Sequence, residues 1–282
     1  MAAVRTYILR CAASYPRYMS LKEDLADIIP ADKSHLLGHY EMIGDIAVIS
    51  LPPELGIYKT DAARAIMAKR QNIRTILNKL SKVEGDCRVP VYEVLEGKNT
   101  VVTYKEYGFS YKFDITKVFF NPRLKYERHR IAGMAMGGEN VLVPFAGAGP
   151  YAVPLSAKGC SVVAIEKSAD ACNWMAVNAR INRVEDRISI LKADAASIRN
   201  LLKITFDRAV VPTPYGKEEV LDVIVPMVRA GGIIHFYTFK KKYQIEGLAR
   251  KYESMGLKVH YIRRCGNVAP GVSRWAFDLE VG

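Results

Sequence analysis

The sequence predicts a doubly wound α/β domain that follows a smaller α+β domain. From Val141 onward, apolar runs of strand length alternate with segments of helical spacing, the pattern of a parallel sheet covered by helices. One run, Val141–Val143, leads into a turn of small residues, and the next, Ser161–Ile165, ends in an acid. The 282 residues, half of them hydrophobic, suffice for two domains of about 100–180 residues each.

Composition narrows the class of protein. The net charge of +12 favours a polyanionic partner, nucleic acid before membrane, although a generic basic surface is the alternative. The five cysteines are scattered without CxxC spacing, so we expect reduced thiols and no metal site. No apolar stretch has the length of a spanning helix, and the N-terminus does not resemble a signal peptide. We therefore expect a cytoplasmic protein, with a monomer favoured.

Residues 1–115 are predicted to form the α+β domain, which would serve as an accessory RNA-binding domain. The expected helices are a short one capped by Ser20 and a long one from Lys59 to Leu80. The expected strands are Met42–Ile49, Cys87–Leu95, Asn99–Tyr107 and Phe109–Phe113. Tyrosines and cations on the last strands can stack on bases and contact phosphates, but they fit an ordinary half-buried sheet equally well.

Residues 116–282 are predicted to form the α/β domain. The expected strands are Val141–Val143, Ser161–Glu166, Ile188–Leu191, Phe206–Val211 and Ile233–Phe239, with two more over about 258–263 and 274–281. The expected helices between them are Pro150–Lys158, Ala169–Asn182, Lys217–Val228 and Tyr243–Met255.

The carboxyl ends of these strands carry the candidate cofactor site, because ligands bind there in open α/β sheets. Glu166 can accept hydrogen bonds from ribose hydroxyls, and Asp194 can accept from an adenine amine or instead cap a helix. A turn after the first strand can bring backbone close to the ligand; it consists of Phe145, Ala146, Gly147, Ala148 and Gly149. A proline-containing loop begins at Pro212, after the fourth strand. The second acid and this loop favour S-adenosylmethionine. NAD stays open, because Ala152 is a permitted last position of the dinucleotide fingerprint.

Four segments resemble the family of tRNA methyltransferases that makes 1-methylguanosine at position 37. They also resemble the wybutosine-pathway relatives of that family. They are Phe113–Leu124 with Glu127-Arg128, then Phe145–Pro150, then Gly231–Tyr237, and finally Ala269–Val272 with Trp275 and Asp278. They stand in the family's order within a resemblance that runs from about Ile43 to Glu280. The resemblance implies a class I methyltransferase fold with a Rossmann-like sheet, S-adenosylmethionine as cofactor and the tRNA anticodon loop as partner.

The resemblance also implies roles for individual residues. Methylation of a guanine ring nitrogen requires removal of its proton, and Glu127 occupies the position of the family's base. Arg88 would stabilise negative charge on O6, Phe119 would stack on the base, and Arg123 and Arg128 would hold phosphates or the loop. The open alternatives are an ion-paired helical Glu127, a surface Arg88 and a core Phe119.

One position departs from the family pattern. After the fourth strand the methyltransferases carry an Asn, where this chain has Pro212, followed by Thr213, Pro214 and Tyr215. A proline offers the base no side-chain hydrogen bond, so the Thr213 hydroxyl or loop carbonyls would substitute, with Tyr215 beside them. Guanine N1 methylation at position 37 is therefore the predicted activity. Methyl or aminocarboxypropyl transfer to the tricyclic base, and a non-catalytic RNA-binding relative, stay open.

Overall fold

The computed structural model describes residues 19–81 and 89–282. These residues divide into two compact units, of which one ends at Arg123 and the other runs from Leu124 to Gly282. The sequence placed the domain boundary after residue 115. The assignment of RNA binding to the first domain and cofactor binding to the second stays a prediction.

The first unit contains a five-stranded sheet with the strand order β1-β2-β3-β4-β5. β3 and β4 are parallel, and the other neighbours are antiparallel. Two helices and a separate hairpin, β6–β7, accompany the sheet. In chain order the elements are β1 (Met19–Ser20), α1 (Leu21–Asp24), β2 (His39–Ile43), β3 (Ile46–Ile49), α2 (Lys59–Lys69), β4 (Thr75–Lys79), β5 (Tyr92–Glu96), β6 (Val101–Glu106) and β7 (Phe109–Asp114).

Two predicted elements of this unit differ from the structure. The expected strand Met42–Ile49 is the hairpin β2–β3, which turns at Gly44 with φ +62°. A Cβ at Gly44 would lie 2.7 Å from the Thr103 carbonyl oxygen, so only glycine fits this turn. The expected helix Lys59–Leu80 ends at Lys69, and its second half contains the inner strand β4. The predicted start of the strand Cys87–Leu95 lies outside the described residues.

The second unit is built on a seven-stranded sheet with the order β10-β9-β8-β11-β12-β14-β13. The first five strands are parallel, and β13 and β14 form an antiparallel edge. This order confirms the predicted doubly wound α/β class. The strands are β8 (Asn140–Pro144), β9 (Ser161–Glu166), β10 (Ile188–Lys192), β11 (Phe206–Val211), β12 (Val228–Lys241), β13 (Leu257–Ala269) and β14 (Val272–Val281).

Helices cover both faces of this sheet. They are α3 (Lys125–Met134), α4 (Ala152–Ala157), α5 (Ala169–Ile181), α6 (Ile198–Leu201), α7 (Val220–Ile224) and α8 (Ile245–Ser254). The predicted helix Lys217–Val228 is shorter than expected, because a 3₁₀ turn over Val225–Met227 follows α7 and β12 already begins at Val228. In β12, Phe236 faces α8 through an edge contact with Tyr252. Side chains in β12 alternate between faces, so His235 and Tyr237 face the opposite side.

None of the helices in the described part of the chain combines the length and apolarity required to cross a bilayer.

Candidate functional site

The glycine-containing turn lies at the switch point of the sheet. From β8 the chain builds outward through β9 and β10, then returns to place β11 on the other side of β8. The turn Phe145–Gly149 follows β8, and the loop Pro212–Gly216 follows β11. Both therefore leave the carboxyl ends of neighbouring parallel strands, which is where open α/β sheets bind ligands.

The backbone of this turn, which we call the cofactor loop (residues 145–149), is unusual. Phe145 has φ +54°, although it is not glycine, and Gly147 and Gly149 have φ +56° and +85°. Left-handed backbone at a non-glycine residue costs of order 1–3 kcal/mol and concentrates at functional sites. After Phe145, which packs on the core of the unit, the loop carries only glycines and the buried alanines 146 and 148. The loop can therefore lie close to a bound nucleoside, as the sequence predicts.

Glu166 supports the cofactor loop directly. Its Oε2 accepts a hydrogen bond from the Gly147 amide at 2.8 Å, and its Oε1 accepts one from the Ser168 amide at 2.9 Å. Each carboxylate oxygen has two acceptor positions, so both can still accept from ribose hydroxyls. Glu166, which is predicted to bind the ribose, therefore also fixes the conformation of the cofactor loop.

Asn178 is a second support, which the sequence analysis missed. It is fully buried on α5, and its Nδ2 donates to the Ala148 carbonyl at 2.9 Å. The available signal was a polar residue on the buried face of the helix, beside Ala171, Met175 and Ala179. A buried amide in such a position needs a hydrogen-bond partner, and here the partner is the cofactor loop.

Asp194 follows β10 and caps the 3₁₀ turn that comes next. Its Oδ1 accepts a hydrogen bond from the Ala196 amide at 2.9 Å, and its Oδ2 lies 3.6 Å from Lys167 Nζ. The side chain is about half exposed, at 49%. The capping role that the sequence left open is thus present, and Oδ2 keeps acceptor capacity for an amine.

Glu127, the predicted base, is buried on α3 among donors. Its Oε2 accepts hydrogen bonds from Arg130 Nε and Nη2 at 3.1 and 3.0 Å and from the Tyr237 hydroxyl at 3.1 Å. Its Oε1 accepts no hydrogen bond from a described residue, and Arg263 Nη1 lies 3.4 Å away. Tyr237 also packs on Tyr151, directly after the cofactor loop, with ring centroids 6.0 Å apart. Two side chains, Tyr237 and Tyr151, thus connect the carboxylate to the segment that follows the cofactor loop.

A buried charge network continues from Arg130 across the sheet. Arg130 binds Asp278 through Nη1 and Nη2, at 2.6 and 3.1 Å. Asp278 Oδ1 is 2.6 Å from His235 Nδ1, and His235 Nε2 is 2.7 Å from Arg208 Nη1. Arg208 in turn pairs with Glu139 at 2.7 and 2.9 Å. The network joins α3 to β11, β12 and β14.

The protonation of His235 follows from its partners. Burial lowers the pKa of the His235 imidazole, and the charges of Arg208 and Arg130 lower it further, although Asp278 opposes the shift. The ring is therefore neutral at pH 7. Arginine can only donate, so Nε2 is the acceptor and Nδ1 carries the proton that is donated to Asp278.

The loop after β11 presents one of its predicted residues to solvent. Tyr215 is 61% exposed, and its ring packs edge-on against Phe239 with centroids 5.4 Å apart. Thr213 is 1% exposed, and its hydroxyl donates to the Val211 carbonyl at 3.2 Å. In this conformation the Thr213 hydroxyl therefore does not reach a ligand, and Pro212 is half-buried beside it.

The remaining predicted substrate residues have different surroundings. Phe119 is 41% exposed and lines a cavity of about 150 Å³ in the first unit. Arg123 Nε binds Glu41 Oε1 at 3.3 Å at the same cavity. Arg128 is 2% exposed, so its guanidinium is not available to an RNA phosphate in this conformation. Arg88 lies outside the described residues.

Two protein-family models match the chain. Residues 100–262 match the TRM5/TYW2 methyltransferase domain, and residues 21–100 match the TYW2 N-terminal domain.

Individual proteins resemble the chain over most of its length. The tRNA (guanine(37)-N(1))-methyltransferase Trm5b of Pyrococcus abyssi is 30% identical over 95% of this chain and 80% of its own. The tRNA(Phe) (4-demethylwyosine(37)-C(7)) aminocarboxypropyltransferase of Pyrococcus horikoshii is 30% identical over 93% and 96%. The structure of aTrm5 in complex with tRNALeu superimposes with a TM-score of 0.83 at 24% identity, covering 94% of this chain and 79% of that one. This last likeness concerns the fold alone.

Proposed function

Because the chain belongs to the TRM5/TYW2 methyltransferase family, we propose that it transfers a methyl group from S-adenosylmethionine to N1 of guanine 37 in tRNA. The predicted family and class I methyltransferase fold are thereby confirmed. The observation that carries the activity is the connection from the cofactor loop through Tyr151 and Tyr237 to the Glu127 carboxylate. It connects a candidate base to a candidate cofactor site within one compact unit.

The cofactor loop and the acids around it suit an adenosyl cofactor. The loop has small residues, left-handed backbone at three positions and a fixed amide at Gly147. We assign Glu166 to the ribose of the cofactor and Asp194 to its adenine amine. Phe145–Gly149 and Pro212 would contact the remaining part of the cofactor. When bound, S-adenosylmethionine supplies an activated methyl group on a sulfonium sulfur. Membership of a methyltransferase family favours S-adenosylmethionine over NAD.

Glu127 performs the proton chemistry in this proposal. Guanine N1 carries a proton at neutral pH, and this proton must leave as N1 takes the methyl group. A carboxylate placed to accept it contributes about 10²–10⁴-fold to the rate. Arg88 is assigned to the developing charge on O6 by the family resemblance alone, because it lies outside the described residues.

The RNA contacts of the proposal use exposed groups. Phe119 and Tyr215 offer aromatic faces for unstacked bases of the anticodon loop, and Arg123 offers a cation for phosphate. Thr213, Arg128 and Glu127 are also predicted to contact substrate. All three are buried, so side chains around them must move before a base or phosphate reaches them. We place the activity in the cytoplasm and expect a monomer.

Aminocarboxypropyl transfer is the second candidate. The TYW2 N-terminal domain model matches residues 21–100, and the P. horikoshii aminocarboxypropyltransferase aligns over nearly its whole length. Pro212 also stands where the methyltransferases carry Asn. Both reactions would use the same cofactor and nucleotide, so they differ in the group that is transferred.

One experiment separates these functions. The purified protein is incubated with labelled S-adenosylmethionine and unmodified tRNA transcripts that carry guanine or adenine at position 37. Mass spectrometry of the digested nucleosides then identifies the product. We expect 1-methylguanosine from the guanine transcript only, and a loss of about 100-fold or more for Glu127→Gln.

The matched control is Glu280→Gln, which removes a carboxylate on β14 that pairs with His260 and Lys258 of the edge strand β13. It should retain wild-type turnover. A product that carries the aminocarboxypropyl group would replace the main proposal with the second candidate. Full methylation by Glu127→Gln would disprove the role of Glu127 while leaving the activity intact.

A further inference from the structure

The two oxygens of the Glu127 carboxylate have different surroundings. Oε2 accepts all three hydrogen bonds, two from Arg130 and one from Tyr237, while Oε1 is buried without a hydrogen bond among the described residues. A carboxylate oxygen has two lone pairs, so Oε2 is saturated. We propose that Arg130 and Tyr237 are positioning residues, which hold Glu127 by Oε2 and reserve Oε1 as the atom that accepts the guanine N1 proton. This inference rests on the proposed function, because it requires Glu127 to be the base.

Both residues are themselves fixed. Tyr237 is 1% exposed, and burial raises the pKa of its hydroxyl well above the ordinary value, so the hydroxyl stays protonated and donates. Arg130 is held on its other side by Asp278, and its pKa is raised because Asp278 and Glu127 together outweigh the cost of burial. Neither donor can turn away from Glu127 without leaving a buried polar group unpaired, which costs several times a surface hydrogen bond.

The ion pairs of the buried network that contains Glu127 balance in charge. With His235 neutral, three guanidinium groups face three carboxylates along the connected pairs, which are Arg130, Arg208 and Arg263 with Glu127, Asp278 and Glu139. The resting network is therefore neutral.

Arg263 is the neighbour that can yield Oε1 to the substrate. Its guanidinium lies 3.8 Å from the centroid of the Tyr126 ring, and its contact with Oε1 is an ion pair at 3.4 Å without a hydrogen bond. Its side chain is 18% exposed, whereas that of Arg130 is 12% exposed and doubly bound. When guanine approaches, the N1–H bond breaks, its electron pair stays on the base, and the proton bonds to Oε1. The electron pair on N1 forms the bond to the methyl group as the methyl–sulfur bond breaks. The electron pair of the methyl–sulfur bond stays on sulfur.

The test is Tyr237→Phe, which removes one donor to Oε2 and keeps the buried ring. We expect kcat to fall about tenfold, while KM for tRNA and the calorimetric affinity for S-adenosylmethionine stay at wild-type values. The acidic limb of the kcat–pH profile should move up by about one pH unit, because one group that stabilises the carboxylate charge is gone. Tyr252→Phe is the matched control, since Tyr252 is a buried tyrosine that packs on Phe236 and Phe277.

A double-mutant cycle separates positioning from general stability. If Tyr237 acts through Glu127, Tyr237→Phe should have no further effect on the residual turnover of Glu127→Gln, which labelled cofactor makes measurable. Multiplicative losses, or a wild-type pH profile for Tyr237→Phe, would overturn the positioning role. Wild-type activity of Glu127→Gln alone would instead refute the base assignment on which the inference rests. Arg130→Lys keeps the charge but not the two-pronged contact, so we expect only partial retention of kcat.

Discussion

Gly149 ends the cofactor loop under two constraints. Its φ is +85°, and a Cβ built there would lie 2.9 Å from Met175 Cγ. Met175 is fully buried, so its side chain has little room to move. For Gly149→Ala we expect a lower melting temperature and about tenfold weaker binding of S-adenosylmethionine by calorimetry, because the loop must leave its strained conformation.

Gly138 provides the control for this substitution. Its φ is +88°, but a Cβ there would meet nothing within 4 Å. Gly138→Ala should therefore lower the melting temperature, because alanine is strained at this positive φ, and should bind the cofactor with wild-type affinity. Equal cofactor affinities for the two variants would mean that the cofactor loop does not contact the ligand.

At the level of single residues, the sequence identifies the groups that lie in motifs. Glu166 and Glu127 could be singled out, because each is an acid at a chemically informative place in the chain. Tyr237 and Asp278 lie in family segments, but their connection to Glu127 could not be predicted. Tyr237 binds Glu127 directly and Asp278 binds it through Arg130, from strands more than 100 residues away. Arg130, three residues after Glu127, was detectable only as a helical ion pair.

Helix α5 contributes to the site through Asn178, which binds the Ala148 carbonyl. For Asn178→Ala we expect a loss of about 1–3 kcal/mol in the free energy of unfolding, because a buried carbonyl loses its donor. The cofactor loop also loses its link to the helix, so cofactor affinity should fall. Urea denaturation and calorimetry measure the two effects.

Asn182→Ala serves as the comparison, because Asn182 Nδ2 donates to the Asn178 carbonyl, 2.7 Å away, at the end of the same helix. Its loss should change stability slightly and cofactor binding not at all. An Asn178→Ala variant that binds the cofactor as tightly as wild type would show that the loop keeps its shape without this bond.

At the level of elements, most strands and helices of the second unit could be predicted, because each apolar run is bounded by glycine or polar turns. The region after α2 could not. Ile73, Ile76 and Leu77 continue the helical spacing of the preceding residues, yet Thr75–Lys79 is an inner strand between β3 and β5. Tertiary pairing overrides local periodicity there, since both faces of the strand are buried.

At the level of the whole molecule, the α/β class could be predicted from the alternation of elements, and the basic charge indicated a nucleic-acid partner. Packing between distant elements was not predictable. The buried charge network shows this, because it joins α3 to β11, β12 and β14 and, through Arg263, to β13, which are consecutive strands of the sheet. Its members are separated in sequence and meet only after the sheet has formed.

This network makes the stability of the second unit sensitive to acid. Burial raises the pKa of the Asp278 carboxyl, but hydrogen bonds from His235 and Arg130 outweigh burial and lower it to about 2. An unfolded Asp titrates near 3.9, so the unfolded state binds the proton first, and about 2–3 kcal/mol of stability is lost as the pH falls from about 4 to about 2. The lowered pKa of His235 acts in the same direction from about pH 6.5 downward.

Urea denaturation followed by tryptophan fluorescence measures this dependence, because both tryptophans, Trp174 and Trp275, lie in the second unit. We expect the free energy of unfolding to decrease steadily from about pH 7 to about pH 3. Asp278→Asn should be less stable throughout and should lose the steep part of the curve below about pH 4, whereas Glu280→Gln should retain it. An Asp278→Asn curve parallel to that of wild type would show that other carboxylates carry the acid sensitivity, because only a group that titrates differently in the two states can produce a slope.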